Sequence, residues 1–132
     1  MGALKKDESG PVFGRANTIV ESQGSVELQK DASGKGWVKL ASGKLDDITT
    51  GGRRVGDGSY QGWSQVAAES INEQNKVIWT HQDGRMSEWN VDANWNYQGS
   101  TIHSAGSNGF LAAESTFNMD FDGDSIIGDP LA

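Results

Sequence analysis

Strand-length apolar runs separated by glycine-containing turns are the feature that most limits how this chain can fold. The chain has 132 residues, with 18 Gly, 2 Pro and no Cys. Short alternating runs that end in Gly, Asn or Asp are typical of strands joined by hairpin turns, and such runs follow one another from Ile19 to Ile102. We therefore predict a mainly β domain built as an antiparallel meander. An α+β arrangement is the alternative, because "QVAAESI" also suits a helix.

One hairpin can be assigned a register from the sequence. In "VIWTHQDGRMSEWNV" a two-residue turn would place Trp79 and Trp89 on opposite faces of the sheet. A three-residue loop that ends at a left-handed Gly84 places the large apolar groups on one face, so we predict the longer loop. The expected cross-strand pairs are Val77 with Trp89 and Trp79 with Ser87.

Charge is divided unevenly along the chain. Residues 1–66 hold eight acidic and nine basic residues, and residues 67–132 hold ten acidic and two basic ones, for a net charge of -7. An acidic half repels nucleic acid and anionic membranes and attracts divalent cations. We predict neither nucleic-acid binding nor membrane insertion, since no apolar run reaches the length of a membrane span. Residues 1–18 are interpreted as a leader or linker before a single domain at 19–132.

A change of period near the C-terminus predicts one helix. In "NGFLAAESTFNMDF", residues 108–121, apolar residues recur at spacings of three and four. Such a face is expected to cap the sheet. Its residues are Phe110, Ala113, Phe117 and Phe121, with Leu111 beside them.

Alternating aspartates follow this predicted helix directly. Asp120, Asp122 and Asp124 fit positions 1, 3 and 5 of a helix–loop calcium motif. Ser125 stands where the motif has Gly, and Leu131 stands where it has a bidentate Glu. We predict a Ca²⁺ site in this Asp-rich loop. Its expected ligands are Asp120, Asp122, Asp124, the backbone carbonyl of Ile126, and Asp129.

The same loop has other interpretations. It can be a solvated acidic turn, a site for Mg²⁺ or another metal, or a labile Asp129–Pro130 bond in a self-processing module. Packing argues against a fully solvated tail, because Phe121, Ile126 and Ile127 are apolar and are expected to be anchored in the core.

The aromatic residues also allow two interpretations. Five Trp and four Phe can form the core of a small β domain that has few other large apolar residues, and we favour this for most of them. Alternatively, exposed rings beside Asn side chains can stack against sugar rings. The candidate residues for ligand stacking are Trp95, Tyr97, Asn94 and Asn96.

Catalytic patterns are weak. Glu69 and Glu88 can be proposed as a glycosidase-like pair, but nothing in the sequence marks them. His81 and His103 lack a metal-binding spacing or a neighbouring nucleophile. The sequence also contains no P-loop, G-x-S-x-G or dinucleotide fingerprint. We predict that the chain is not an enzyme.

Several motifs together resemble one protein family. "SYQGW", "VIW", "DGR", "WNVDANWNYQGS" and "ESTFNMDFDGDSIIG" are similar to the tryptophan-rich C-terminal domain family of cyanobacterial and other bacterial secreted or surface proteins. The resemblance spans residues 19–128 and is densest from residue 60. It implies an accessory, non-catalytic module of an exported protein, located outside the cell or at its surface.

We therefore expect a binding or adhesion module in which Ca²⁺ fixes the C-terminal loop. Its expected partners are an extracellular glycan or the other domains of its parent protein. The alternative is a purely structural spacer or secretion-associated domain without a specific ligand, and a dedicated glycan-binding module is a further alternative.

Overall fold

The computed structural model describes residues 17–128, and predictions that concern residues 1–16 and 129–132 lie outside this range. Within it, ten strands precede one helix. The strands are β1 (Thr18–Glu21), β2 (Glu27–Lys30), β3 (Gly36–Lys39), β4 (Leu45–Asp47), β5 (Thr49–Thr50), β6 (Arg53–Arg54), β7 (Trp63–Ile71), β8 (Gln74–His81), β9 (Met86–Val91) and β10 (Tyr97–His103), and the helix is α1 (Asn108–Phe117).

The strands form two four-stranded sheets, each an antiparallel meander. The first sheet has the order β1-β2-β3-β4 and the second the order β10-β9-β8-β7, while β5 and β6 form a small ribbon between them. The predicted fold class, mainly β with one C-terminal helix, is confirmed. The segment "QVAAESI" belongs to β7, so it is a strand.

The inner core is formed by side chains from both sheets. Leu28 and Val38 face each other across β2 and β3, and both are fully buried. From the second sheet, Val77 and Trp79 on β8 join them. Burying large apolar side chains from two sheets against each other is the main stabilising term of a sandwich. The buried members of this core are Val26, Leu28, Val38, Ile48, Val55, Ala68, Val77, Trp79, Trp89, Val91 and Trp95.

The opposite face of the second sheet is covered by α1. Ile78 lies between Val77 and Trp79 in β8, so it points to this outer side and is fully buried there. Strands β7, β8 and β9 of the second sheet therefore bury side chains on both faces. The outer core consists of Ala67, Ile78, Met86, Phe110, Ala113 and Phe117, with Val66, Ile71, Leu111, Met119 and Phe121 packed against it.

The predicted register of the β8–β9 hairpin is confirmed. Val77 pairs with Trp89, and Trp79 pairs with Ser87. The loop is closed by a hydrogen bond from His81 N to Arg85 O at 2.8 Å, and Gly84 has a φ of 99°. Three residues thus connect the strands, and the left-handed position is occupied by glycine, which has no Cβ to clash.

The same five-residue turn recurs at four places. In each, the first N–H donates to the fifth carbonyl, the fourth N–H donates to the first carbonyl, and the fourth residue has a positive φ. Glycine fills that fourth position three times, but in the last turn it is Trp95, with a φ of 64°. The turns are Asp31–Lys35, Leu40–Lys44, His81–Arg85 and Asp92–Asn96.

Helix α1 begins at a polar cap and is shorter than its sequence pattern predicts. The Ser107 hydroxyl accepts the Phe110 N–H at 3.3 Å, and the helix ends at Asn118, which is left-handed with a φ of 55°. The predicted range ran on to Phe121, which instead lies beyond the helix and packs its ring edge-to-face on Phe117 at 5.9 Å. Within residues 17–128 no helix is long and apolar enough to cross a membrane.

The contact between α1 and the sheet gives a first test. A Cβ on Gly109 would lie 2.3 Å from Nδ1 of His103, whose ring is also held by Glu88. We expect Gly109→Ala to lower the free energy of unfolding in urea by about 1–3 kcal/mol, because the helix must move away from the sheet. In a freely exposed helix the same change raises it by about 1 kcal/mol.

The matched control is Gly99→Ala in β10, where no atom lies within 4 Å of the added methyl and φ is not in the left-handed region. The free energy of unfolding of this variant should remain close to that of the parent. A Gly109→Ala protein more stable than the parent would show that α1 does not pack on His103.

Trp95 gives a second test. Replacing this buried side chain should destabilise the fold by about 3–5 kcal/mol. Because only glycine adopts the left-handed conformation without strain, we expect Trp95→Gly to be more stable than Trp95→Ala by about 1 kcal/mol in urea unfolding. Equal stability, or the reverse order, would mean that the turn relaxes to another conformation.

Candidate functional site

A buried carboxylate organises the acidic loop at the end of the described chain. Glu114 on α1 is fully buried, and its two oxygens accept three backbone N–H groups. Phe121 N lies 2.8 Å and Asp122 N 3.2 Å from Oε2, and Gly128 N lies 2.9 Å from Oε1. Bonds from N–H groups to an ionised carboxylate are among the stronger hydrogen bonds of proteins. This side chain therefore ties both ends of the loop to the helix.

The aspartates of the loop hold the backbone that follows them. Asp120 accepts the N–H groups of Gly123 at 2.9 Å and Ser125 at 2.7 Å, and Asp124 accepts that of Ile126 at 2.8 Å. Ser125 has a φ of 69°, so it takes the left-handed conformation for which the calcium motif uses glycine. The chain thus curls tightly, although a serine occupies the strained position.

Three carboxylates of this region come close enough to share one cation. Oxygens of Glu114, Asp120 and Asp122 all lie within 4.8 Å of one another. Oxygen-only ligands of this kind suit a hard cation such as Ca²⁺ or Mg²⁺. The structure therefore brings together two of the predicted ligands and adds Glu114. Asp124 is not part of this group, and Asp129 lies outside the described residues.

The loop carboxyl groups differ in acidity. Partial desolvation raises the pKa of Asp122 to about 6, and the neighbouring Asp120, Asp124 and Glu114 carboxyl groups contribute in the same direction. Partial desolvation also raises the pKa of Asp120, but the N–H groups of Ser125, Gly123 and Asp122 outweigh it and hold that pKa below its usual value. The crowded negative charge at Asp122 is what a bound cation would relieve.

The expectation that two isoleucines anchor this loop is wrong. Ile126 is 42% exposed and Ile127 is 45% exposed. Hydrogen bonds to Glu114 position the loop instead, together with the partly buried Phe121. Sequence reasoning missed Glu114, although a signal was present. It lies four residues after Phe110 and three before Phe117, so it shares their buried face, where an acid requires a partner.

A second site is an aromatic cavity on the inner face of the second sheet. It has a volume of about 360 Å³, and its lining contains no charged residue. The rings of Trp79, Trp89 and Tyr97 pack in sequence, with centroids 4.9 Å and 4.7 Å apart. Tyr60, which is 40% exposed, packs its ring edge-to-face on Trp79 at 5.5 Å. The lining residues are Thr50, Tyr60, Trp63, Trp79, Ser87, Trp89, Tyr97, Ser100 and Ile102.

The polar side chains of the cavity lining are hydroxyls, those of Thr50, Ser87 and Ser100. Ser87 is 5% exposed, so it lies deep in the lining. Nε1 of Trp79 is buried and has no hydrogen-bond partner among residues 17–128, which is unusual because most buried polar groups are paired. This nitrogen has almost no accessible surface, so it belongs to the packed core beneath the cavity.

The predicted stacking set is only partly brought to this cavity. Trp95 is 1% exposed and belongs to the inner core, so it is not an exposed ring. It lines a larger polar cavity beside the β7–β8 turn and not the aromatic one. Asn96 accepts Thr49 Oγ1 at 2.7 Å and holds the turn, whereas Asn94 is exposed. Tyr97 does line the cavity. The side chain of Trp95 is drawn inward because its turn docks on the first half of the chain, with Thr49 N bonded to Trp95 O at 3.1 Å.

A larger and more polar cavity of about 800 Å³ lies beside the β7–β8 turn. Its polar lining groups already bind one another, since Lys76 Nζ donates to Asn90 Oδ1 at 2.7 Å and Asn75 Nδ2 donates to the Asp92 carbonyl at 3.1 Å. This mutual satisfaction makes it a weaker candidate than the aromatic cavity.

The two glutamates considered as a catalytic pair have structural partners. Glu69 accepts the N–H and the hydroxyl of Ser25, at 2.9 Å and 2.6 Å. Glu88 lies 3.1 Å from Lys76 Nζ and 3.0 Å from His103 Nε2. Burial raises the pKa of Glu88, but these two neighbours outweigh it and hold the pKa below its usual value.

Comparison with known proteins bears on the resemblance seen in the sequence. No curated protein and no solved structure matches the chain. A family model described as the tryptophan-rich Synechocystis species C-terminal domain matches residues 26–128, a range that contains both sheets' core strands, all five Trp and the acidic loop. The chain therefore belongs to the tryptophan-rich Synechocystis species C-terminal domain family.

Proposed function

We propose that this chain is a non-enzymatic binding or adhesion module of an exported bacterial protein, and that its binding surface is the aromatic cavity. The observation that carries the proposal is the cavity itself, about 360 Å³ in volume and lined by five aromatic rings. Ligand sites are typically concave and mostly apolar, with a few polar groups that orient the ligand. The hydroxyls of Thr50, Ser87 and Ser100 are polar groups of that kind.

The non-enzymatic part of the proposal rests on how the acids are used. Glu69 and Glu88 are engaged with Ser25, Lys76 and His103, and neither lines the aromatic cavity. General acid–base catalysis requires a titratable group within hydrogen-bond reach of the reacting atoms. A neutral lining that offers rings and hydroxyls is suited to holding a ligand.

Indole N–H signals in a ¹⁵N-correlated NMR spectrum test the module function. The chain has five Trp, of which Trp79, Trp89 and Trp63 line the cavity, while the indole of Trp37 donates to Asp31 at 2.9 Å. We expect at least one compound from a panel of neutral sugars, acidic sugars and short peptides to shift the cavity signals at millimolar concentration. The Trp37 signal should stay in place.

If no compound class moves the cavity signals, the binding module is overturned. The chain would then be a structural spacer or secretion-associated domain, with the rings serving as core only. Shifts confined to Trp37 or to Trp95 would place the binding surface elsewhere and would also contradict the proposal.

The acidic loop supports a second candidate function, a Ca²⁺ site that fixes the C-terminal loop outside the cell. Its support is the convergence of Glu114, Asp120 and Asp122 within 4.8 Å, together with the raised pKa of Asp122. Glu114 already accepts three N–H groups, and a carboxylate offers about four lone-pair positions, so one remains for a cation. A bound Ca²⁺ would also draw on water or backbone oxygens, as such sites commonly do.

Thermal unfolding in EDTA and in millimolar Ca²⁺ tests this site. A cation that binds only the folded state stabilises it by about 2.7 kcal/mol at a hundredfold excess over Kd, which raises the Tm of a chain of this size by roughly 10 °C. We expect Asp122→Asn to abolish the Ca²⁺ shift while leaving the Tm in EDTA unchanged or slightly higher, because it removes a crowded carboxylate.

Glu114→Gln is the structural comparison. The substitution replaces one of the two carboxylate oxygens that accept buried N–H groups with an NH₂ group, which cannot accept a hydrogen bond. The Tm should therefore fall with and without Ca²⁺, by the equivalent of about 2–4 kcal/mol. A parent protein whose Tm is the same in EDTA and in Ca²⁺ would leave the solvated acidic turn as the correct interpretation. A larger increase of the Tm with Mg²⁺ than with Ca²⁺ would mean that the site prefers Mg²⁺.

A further inference from the structure

The aromatic cavity is a part of the inner sheet face that the first sheet does not cover. Trp79 and Trp89 belong to the inner core and also line the cavity. Ser87 pairs with Trp79 across β8 and β9, and Ile102 pairs with Ser87 across β9 and β10, so all of them share this face. The floor of the cavity is therefore formed by three paired strands, β8, β9 and β10. A ligand would not have to order the side chains of this floor.

The walls come from less regular structure. Tyr60 and Trp63 precede or begin β7, and Trp63 is held by two further groups. Arg85 lies over its ring at 5.3 Å, and His81 packs edge-to-face on it at 4.9 Å. Tyr60 packs its ring on Trp79 and Trp89, at 5.5 Å and 6.2 Å, and is the most exposed of the five rings. Its exposed ring forms the wall that a ligand would meet first.

Charge defines which ligands fit. Among the described residues, none that lines the cavity carries a charge. A charged ligand would therefore lose hydration on entering without gaining a counter-charge from the lining. The ligand that fits is therefore neutral.

The polar groups of the lining narrow the class of ligand further. The cavity offers aromatic faces and the hydroxyls of Ser87, Thr50 and Ser100. A sugar ring presents apolar C–H faces and a rim of hydroxyls, each of which both donates and accepts, so it can use all of these groups together. A volume of about 360 Å³ is at the small end of ligand sites, which suits one or two rings better than an extended peptide.

We propose that the aromatic cavity binds a neutral sugar, with a ring against Tyr60 and a sugar hydroxyl bonded to the hydroxyl of Ser87. This inference rests on the binding-module function proposed above and specifies its ligand. The sugar lies on the β8–β9–β10 face, and Asn94, which is not part of the cavity lining, does not contact it.

Titration of the 132-residue chain with individual sugars tests the ligand class. The probes are a neutral monosaccharide, a neutral disaccharide, glucuronate as the charged counterpart, and a proline-rich peptide, which aromatic grooves also recognise. We expect the neutral sugars to shift the Trp79 indole signal with a millimolar or tighter Kd, and glucuronate to bind at least about tenfold more weakly.

Variants locate the site. Tyr60→Ala should weaken sugar binding about tenfold or more, and Ser87→Ala about three- to tenfold through loss of one hydrogen bond. The control is Asn94→Ala, whose exposed side chain is not part of the cavity lining, and this variant should bind the sugar as tightly as the parent does. Circular dichroism and the Tm establish that each variant is folded.

The outcomes separate this inference from the function on which it rests. Binding of the peptide alone, or of glucuronate as tightly as the neutral sugar, would refute the sugar assignment but leave a binding module. Loss of sugar binding in Asn94→Ala, with Tyr60→Ala unaffected, would refute the cavity as the site. No binding by any probe would refute both.

Discussion

The unequal length of the strands in the two sheets is the constraint on which the rest of the structure depends. Strands β1–β4 have three or four residues each, whereas β7–β10 have six to nine. At about 3.3 Å per residue, the first sheet extends roughly 10–13 Å and the second roughly 20–30 Å. The first sheet therefore cannot cover the whole inner face of the second. The segment that contains Tyr60 and Trp63 covers part of the remainder, and the aromatic cavity is what it leaves open.

The outer face of the long sheet requires its own cover, and this requirement explains the C-terminal region. Helix α1 supplies Phe110, Ala113 and Phe117, and the approach is close enough that Gly109 touches His103. Glu114 lies on the same helix face as these apolar residues, where a carboxylate without partners would be strongly destabilising. The chain that follows the helix turns back to bring its N–H groups to that carboxylate. Glu114 therefore ties the acidic loop to the helix.

The parts of this structure that could be predicted are those that local chemistry determines. The β8–β9 register followed from the period of two and from Gly84, and the helix followed from the spacing of its aromatic residues. The exposure of Trp95, Ile126 and Ile127 was predicted wrongly, because it depends on contacts distant in sequence. Trp95 is buried where its turn meets Thr49, and the isoleucines are exposed because Glu114 anchors the loop in their place. The pattern of alternating aspartates likewise predicts a tightly curled loop. It does not show that Glu114, on the preceding helix, adds its carboxylate to that loop.

Core and binding surface are not separate sets of residues in this domain, which is why the sequence allowed two interpretations of its tryptophans. Trp79 is 1% exposed and belongs to the inner core, yet it also lines the aromatic cavity. Trp95 is equally buried in this core, and it lines the larger polar cavity and not the aromatic one. A ring that is part of a packed core is held at fixed position, so a ligand that rests on it does not have to order it. The buried rings at the uncovered end of the sandwich are thus already ordered, so binding a ligand there would not require further loss of their conformational entropy. The most exposed ring of the cavity is Tyr60.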